Sequence, residues 1–513
     1  MQRRTLLQAL LAPATRPQIR VQFDAADHRN VPLPPAAWLN YLFHYIDQPN
    51  SQIRSIAWDL SLGDTFAVYP SRLLPPSPDL QITKWRNEGF HWVPEILKAA
   101  RQRKIQNVWH HRFSEVDIRP EGGLELEQRR PLKAQNPDWL IRSWWWQGLW
   151  NIASPGLRAH KLEILKEVAQ SLDIDGIQID FARHIPCLPP GRQWELRHHA
   201  TEFMRQLRRM LRATNLKLEL SAKVPETLAG CKTDGFDIAT WARENLIDSL
   251  TLGSRAFTVN VEEIRAAVGP NIHLSPCLDD HHATDGYRYP PIEIFRGVAT
   301  NWLAQGANSV TTFNWSAAPN HGGPISHQQA YTEIGSLETM RRKPKRYLVE
   351  RRGGYPWAEG YFNRNDHMPL PAKLSNDGRS QTFPLRLHDL EIQQAELTIL
   401  LFQSRPTDQL QVTCNTTPLT LTQSDNSAKD PQIFSPKPQP NSGGKGDYTI
   451  DPKQSLRKLT YAVPLTSLKT GPNQVTIKIQ TRAAYRPGED IQIEKIELAT
   501  TTESSTSFTS ATT

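Results

Sequence analysis

Cysteine is scarce: Cys187, Cys231, Cys277 and Cys414 are the four among 513 residues, and no two form a CxxC pair. That excludes a cysteine-rich zinc module and leaves no demand for disulfides. Long apolar runs are missing as well, since no stretch approaches the ~18 consecutive apolar residues that a membrane-spanning helix requires. The chain also lacks a Gly-x-Ser-x-Gly elbow, a Cys/His pairing, a HExxH helix and a glycine-rich phosphate turn. Serine and cysteine nucleophiles, helix-borne zinc and a doubly wound nucleotide fold thus lose their usual marks. No cofactor and no metal are expected. Asp279-Asp-His-His282 carries metal-binding groups, but four adjacent residues cannot all face one ion from a strand.

The chain is too long for one ordinary core, so two domains are expected. A hydrophobic content of 38% and a charged content of 22% suit a globular protein with some irregular, polar segments. The net charge of +8 permits an anionic partner. Its positive groups are scattered, with no basic stripe and no nucleic-acid motif, so no nucleic-acid partner is expected. At the N-terminus Arg3 and Arg4, a short apolar run and Ala12-Pro-Ala14 resemble a twin-arginine export signal. Export is therefore expected, with a frayed cytoplasmic N-terminus as the alternative.

Between about Arg54 and Met340, short apolar strands alternate with amphipathic helical patterns. The expected strands are Ile53–Trp58, Ile105–His110, Trp139–Trp144, Gly176–Ile179, Leu216–Ala222, Ser249–Leu252, Ile272–Leu278 and Ser309–Phe313. The expected helices include Ile82–Arg103, Leu157–Leu172, Gln193–Ala213, Val261–Val268, Ile292–Gln305 and Gln328–Met340. Eight strands at this spacing predict an α/β chain with a (β/α)8 barrel. After Arg346 helical periodicity gives way to alternating segments, Gln381–Leu387, Ala395–Leu401, Gln409–Cys414, Lys458–Val463, Gln474–Ile479 and Ile491–Leu498, which predict a smaller β-sandwich. The divisions expected are a signal-like leader over 1–29, the barrel over 30–345, the sandwich over 346–498 and a disordered Ser/Thr tail over 499–513. Gln423–Tyr448 reads as a mobile loop.

In a parallel barrel the residues that close each strand converge on one mouth. There stand Asp59, then His110, His111 and Arg112 followed by Glu115 and Asp117, then Trp144, Trp145, Trp146, Gln147 and Trp150. Asp180 and Arg183 come next, followed by Lys223 and Glu226, Ser254 and Arg255, Asp279, and finally Asn314 and Trp315. Asp180 ends the segment Asp175-Gly-Ile-Gln-Ile-Asp-Phe-Ala-Arg183. It is a candidate nucleophile or general base. Helix capping, or pairing with Arg183, is its structural alternative. Tryptophans beside Arg, Asn, Gln and His suit sugars, whose rings stack on flat faces while their hydroxyls are hydrogen-bonded. One or two of Trp145, Trp146, Trp150 and Trp315 are expected to line the pocket.

Asp175–Arg183, with Trp109-His-His-Arg-Phe-Ser-Glu-Val-Asp117, Gly235-Phe-Asp-Ile-Ala-Thr-Trp241, Asn245-Leu-Ile-Asp248 and Gly306-Ala-Asn-Ser-Val-Thr-Thr-Phe-Asn314, resembles the glycosyl-hydrolase-like family ten barrels. The likeness is to the exported versions found in planctomycete-type bacteria, and it covers roughly residues 30–345. The resemblance implies a TIM barrel and action on glycans. Asp180 matches the acid after strand four, the position that carries the nucleophile in alpha-galactosidase-type barrels. Those barrels place their acid/base after strand six, where this chain has Gly253-Ser-Arg255 and no acid. Glu226 and Asp279 are the replacements expected, with Glu115 third.

The expectation is thus a glycoside hydrolase with Asp180 as nucleophile or base and Glu226 or Asp279 as acid. Substrate would be bound by Asp59, His110, Arg112, Glu115, Trp146, Arg183, Lys223, Asn314 and Trp315. The partner expected is a carbohydrate, with an anionic one permitted. A non-catalytic glycan-binding protein and a lyase on an acidic polysaccharide are the alternatives.

Overall fold

The computed structural model describes residues 18–24, 33–60, 64–114, 131–143, 148–253, 256–279, 286–287, 290–313, 315, 325–351, 368–389, 391–430 and 456–502. Eight parallel strands close a barrel: β1 (Ile19–Asp24), β2 (Ile53–Asp59), β3 (Gln106–Arg112), β4 (Gly176–Asp180), β5 (Glu219–Val224), β6 (Ser249–Leu252), β7 (His273–Asp279) and β8 (Val310–Phe313). Each pairs with its neighbours in sequence, and β1 closes the ring against β8 with Ile19 opposite Val310. The fold is a TIM barrel followed by a β-rich C-terminal part. No helix among the described residues is long and apolar enough to cross a membrane.

Two strand assignments differ from expectation. Ile19–Asp24 falls within the expected leader, yet its alternation of Ile19, Val21 and Phe23 buries one face and forms β1. The expected strand Trp139–Trp144 is not part of the barrel. Pro137–Trp139 forms a short 3-10 turn, and Leu140–Ile141 pairs antiparallel with Leu149–Trp150. The ladder groups of Leu140 and Ile141 are taken by this hairpin partner. The expected helix over Ile82–Arg103 is two, Leu80–Asn87 and Trp92–Gln102, parted at Gly89 with φ of +79°. Gln328–Met340 likewise resolves into Ile325–Ala330 and Leu337–Met340. Strand β5 begins at Glu219, because Leu216 is exposed in the turn before it.

The strands alternate in an unusual sense. In β4, Ile177 and Ile179 are fully buried against the outer helices, whereas Gln178 and Asp180 face the barrel axis. Hydrogen bonds between strands that are not neighbours prove the direction. Arg20 of β1 donates to Ser249 Oγ of β6 at 3.0 Å, and Lys223 of β5 donates to Gln22 Oε1 of β1 at 2.7 Å. Gln178 donates to Thr251 Oγ1 at 2.8 Å, and Ser309, Ser275 and Thr311 form a hydroxyl chain. A barrel interior is ordinarily filled by branched aliphatics. Here it is filled by a hydrogen-bonded polar network, while the apolar faces pack outward.

The lower end of that interior carries a pH dependence. His273 shares a hydrogen bond of 2.7 Å with Ser309, and burial, with help from Arg20 and Arg265, pushes its imidazole down to about 3. Between about pH 6.5 and 3 the unfolded chain binds a proton that the folded barrel refuses, so stability falls as the pH is lowered through that window. The upper limit of this contribution is about 4–5 kcal/mol at 1.36 kcal/mol per pH unit. His273→Gln should flatten the melting temperature against pH over this range. An unchanged acid limb would refute the assignment.

The C-terminal part is two antiparallel sheets around one apolar core. Its strands are β9 (Lys345–Val349), β10 (Gln381–Leu387), β11 (Gln394–Phe402), β12 (Gln409–Cys414), β13 (Thr420–Ala428), β14 (Leu456–Ala462), β15 (Gly471–Thr481) and β16 (Gln492–Thr501). One sheet runs β9-β16-β11-β14-β13, with Ala372–Lys373 beside β16, and the other runs β10-β15-β12 with Thr417–Pro418 at its edge. Residues 423–428, expected in a loop, belong to the exposed edge strand β13. Its polar sequence carries no inward apolar stripe to announce it. Residues 431–448 of that expected loop, residues 1–17 and 25–29 of the leader and the tail from residue 503 lie outside the described residues.

Candidate active site

The charged residues at the upper end of the barrel lie in register. Arg112, Asp180 and Lys223 are direct neighbours on β3, β4 and β5, and Arg112 Nε donates to Asp59 Oδ2 of β2 at 2.6 Å. Around half the mouth the signs therefore alternate: Asp59, Arg112, Asp180, Lys223. Each is nearly or fully buried apart from Arg112, which reaches further out.

His110 sits beneath this belt and is fully buried. Its Nε2 lies 3.2 Å from Asp180 Oδ2 and 3.8 Å from Asp59 Oδ2. Both oxygens lie near one nitrogen, so they are no more than about 7 Å apart. Nδ1 of His110 faces Gln178 Oε1 at 2.8 Å, and Gln22 Nε2 faces Nε2 at 3.1 Å. Nε2 cannot serve Gln22 and Asp180 at once. With its Nδ1 proton given to Gln178, the ring accepts from Gln22 at Nε2. Its neighbour in sequence, His111, points outward, where its Nε2 is 3.2 Å from the buried Asp64, which also pairs with Lys161.

Asp180 itself is 1% exposed. Burial raises a carboxyl, but Lys223, 3.7 Å away, together with His110 and Arg112 outweighs it and holds Asp180 well below the usual carboxylate range. Its Oδ1 accepts from the Ala182 amide at 2.9 Å. Arg183 makes no ion pair with it and lies instead over the ring of Phe313, 4.8 Å from its centroid, with Lys223 Nζ 4.0 Å from the same ring. Phe313 forms an apolar floor under two cations.

Glu226, after β5, and Asp279, at the end of β7, are fully buried. Glu226 packs on Gly253, where an added Cβ would lie 3.0 Å from Glu226 Cβ and 3.2 Å from its Oε2. The absence of a side chain at 253 leaves that carboxylate its place. Two of the expected sugar-stacking tryptophans are packing residues. Trp150 is fully buried near Lys133 and Lys161, and Trp315 packs between Phe295 and Tyr331 at 4.7 and 5.4 Å. Glu115, Asp117, Trp144, Trp145, Trp146, Gln147, Ser254, Arg255, Asp280, His281, His282 and Asn314 lie outside the described residues.

Sequence reasoning missed Gln22, which bridges Lys223 and His110, and Gln178, which orients His110. Their signal was available in the alternation of β1 and β4, where Gln22 follows Arg20 by two residues and Asp180 follows Gln178 by two.

No family model matches this chain, and no curated protein does. Among solved structures it is similar to an alpha-L-fucosidase isoenzyme 2 from Paenibacillus thiaminolyticus, at 14% identity and a TM-score of 0.42 over 65% of this chain and 51% of that one. The chain thus spans about half the length of the fucosidase. It is also similar to the PgaB (BpsB) glycoside hydrolase domain from Bordetella bronchiseptica, at 12% identity and a TM-score of 0.41 over 63% of this chain and 99% of that one. A maltogenic alpha-amylase, AmyB, from Thermotoga neapolitana matches at 10% identity and a TM-score of 0.38 over 88% of this chain and 99% of that one. At these identities the likeness is one of barrel architecture.

Proposed function

We propose that this protein is a glycoside hydrolase acting on a polysaccharide or oligosaccharide. The observation that carries the proposal is Asp180, a carboxylate kept ionised by Lys223, His110 and Arg112 at the end of the barrel where such folds keep their chemistry, with the further buried carboxyls Glu226 and Asp279 at the ends of other strands. Burying this many ionisable groups costs stability, and catalysis is the compensating reason to keep them there. The resemblance of the Asp175–Arg183 segment to glycosyl-hydrolase-like family ten barrels supports the same conclusion.

In this reading Asp180 is the nucleophile, or the base of an inverting reaction, because its cationic neighbours keep it ionised. The acid needs the opposite environment. Asp59 is bound to a guanidinium at 2.6 Å and is a poor donor, which leaves Glu226 and Asp279 as acid candidates. Lys223, Arg112 and Arg183 bind and orient substrate, and they admit an anionic sugar. Export is part of the proposal, on Arg3, Arg4 and the Ala12-Pro-Ala14 site.

A non-catalytic glycan binder is favoured by one observation, the 1% exposure of Asp180. Incubation with neutral, uronic-acid and sulfated glycans separates the readings. A hydrolase releases reducing ends without ultraviolet absorbance, and a lyase produces an absorbing unsaturated sugar. A binder is retarded in affinity gels and releases nothing, which would overturn the hydrolase assignment.

A further inference from the structure

We propose that the C-terminal sandwich is a buttress for the sixth and seventh connections of the barrel mouth, with Lys495 and Glu350 as its positioning residues. Strand β16 carries a bulge at Glu494: its pairing with β11 steps from Leu400 opposite Lys495 to Leu401 opposite Ile493. The extra residue breaks the alternation, so Ile493 and Ile496 enter the sandwich core while Glu494 and Lys495 are both buried elsewhere. Glu494 pairs with Arg351 at 2.9 Å. Lys495 pairs with Asp430 at 2.7 Å and also reaches across to the barrel, where it donates to the Gly286 carbonyl at 2.7 Å and lies 4.3 Å over the ring of Tyr287.

Glu350, one residue past β9, acts on the neighbouring connection. Its carboxylate accepts from the amides of Phe257 at 3.1 Å and Thr258 at 2.6 Å. Phe257 packs edge-on against Tyr287 at 5.7 Å, and its carbonyl accepts from Trp302 Nε1 at 2.9 Å. Gly286 follows Asp279 by seven residues, and Phe257 follows Gly253 by four. Each connection thus runs from a strand end to a point held by the sandwich. Between those points lie Arg255 in one connection and Asp280, His281 and His282 in the other.

A buried lysine and glutamate that meet backbone groups of another unit are costly unless the geometry is kept, so they hold residues 257–258 and 286 at the sandwich. Among the described residues its exposed aromatic is Tyr485, 43% exposed, with Arg482 beside the ring. The functional consequence rests on the hydrolase reading; the mechanical one does not.

Hydrogen exchange on the full chain is the primary test because it needs no substrate. Lys495→Met should speed exchange at residues 286–287, and Glu350→Gln at residues 257–258, each about tenfold, with little change at 176–183. Lys495→Arg, which still donates to Gly286, should restore the wild-type rate. On a panel glycan that the wild type cleaves, Lys495→Met should raise KM about threefold with kcat within about twofold, since it loosens the mouth and leaves the reacting groups in place. Unchanged exchange in Lys495→Met overturns the buttress whatever the enzyme assay gives. Should Glu350→Gln fail to fold, the Met and Arg variants at 495 decide the matter.

Discussion

Asp180→Asn is expected to lower turnover by about 10²–10⁴-fold or more, the range that a lost proton-transfer group costs and a lost nucleophile exceeds. The asparagine is nearly isosteric and can still accept from the Ala182 amide, so the Asx turn at the end of β4 survives. What it loses is charge between Arg112 and Lys223. The protein should therefore melt at a lower temperature, because Lys223 is left buried beside a neutral amide. Turnover measured well below that melting point separates the chemical loss from the structural one. Glu226→Gln and Asp279→Asn then assign the acid. The variant that lacks it should fail on substrates with basic leaving groups and retain most of its rate on dinitrophenyl glycosides, which need little protonation to depart. Full turnover in Asp180→Asn would remove carboxylate attack from the mechanism.

The barrel was legible because its outward faces are apolar and regular. Ile177 and Ile179, or Leu250 and Leu252, announce strands whatever the inner face carries. The missed strand β1 has the same alternation, but it follows a leader-like segment and was absorbed into it. The tryptophan run at 144–146 misled in the opposite direction. Aromatic content imitates a strand. Asp180, Lys223, His110, Arg112 and Asp59 stood out as strand-end residues, but their order did not. The alternating belt depends on register between residues as far apart in sequence as Arg112 and Asp180, which one sequence does not encode in any local pattern. Gln22 and Gln178 were overlooked because an inward glutamine in a barrel strand passes for an irregularity until it is seen to join a network. The bulge at Glu494 likewise reads in sequence as an ordinary break in alternation.

Lys223→Met should destabilise the fold by about 3–5 kcal/mol at pH 7, the cost of stranding a buried charge without its partner. Methionine replaces the lysine stem over Phe313, so little packing is lost, while the ammonium that served both Asp180 and Gln22 Oε1 disappears. The direction with pH follows from Asp180. In the wild type its depressed carboxyl contributes stability at pH values above the unfolded carboxylate range, lost as the pH falls through the folded value. Without Lys223, burial has less opposition and moves that carboxyl upward, so the variant favours the protonated form. The stability gap should be widest near neutrality and narrow as the pH falls, first where the variant's folded carboxyl takes up a proton and further below about 4, where the unfolded chains do so while the folded wild type still refuses it. A double-mutant cycle with Asp180→Asn isolates the pair: the second substitution should cost far less in the Lys223→Met background than alone. A gap that is flat with pH, or costs that simply add, would show that Lys223 is held for Gln22 and Phe313 and that Asp180 owes its ionised state to His110 and Arg112.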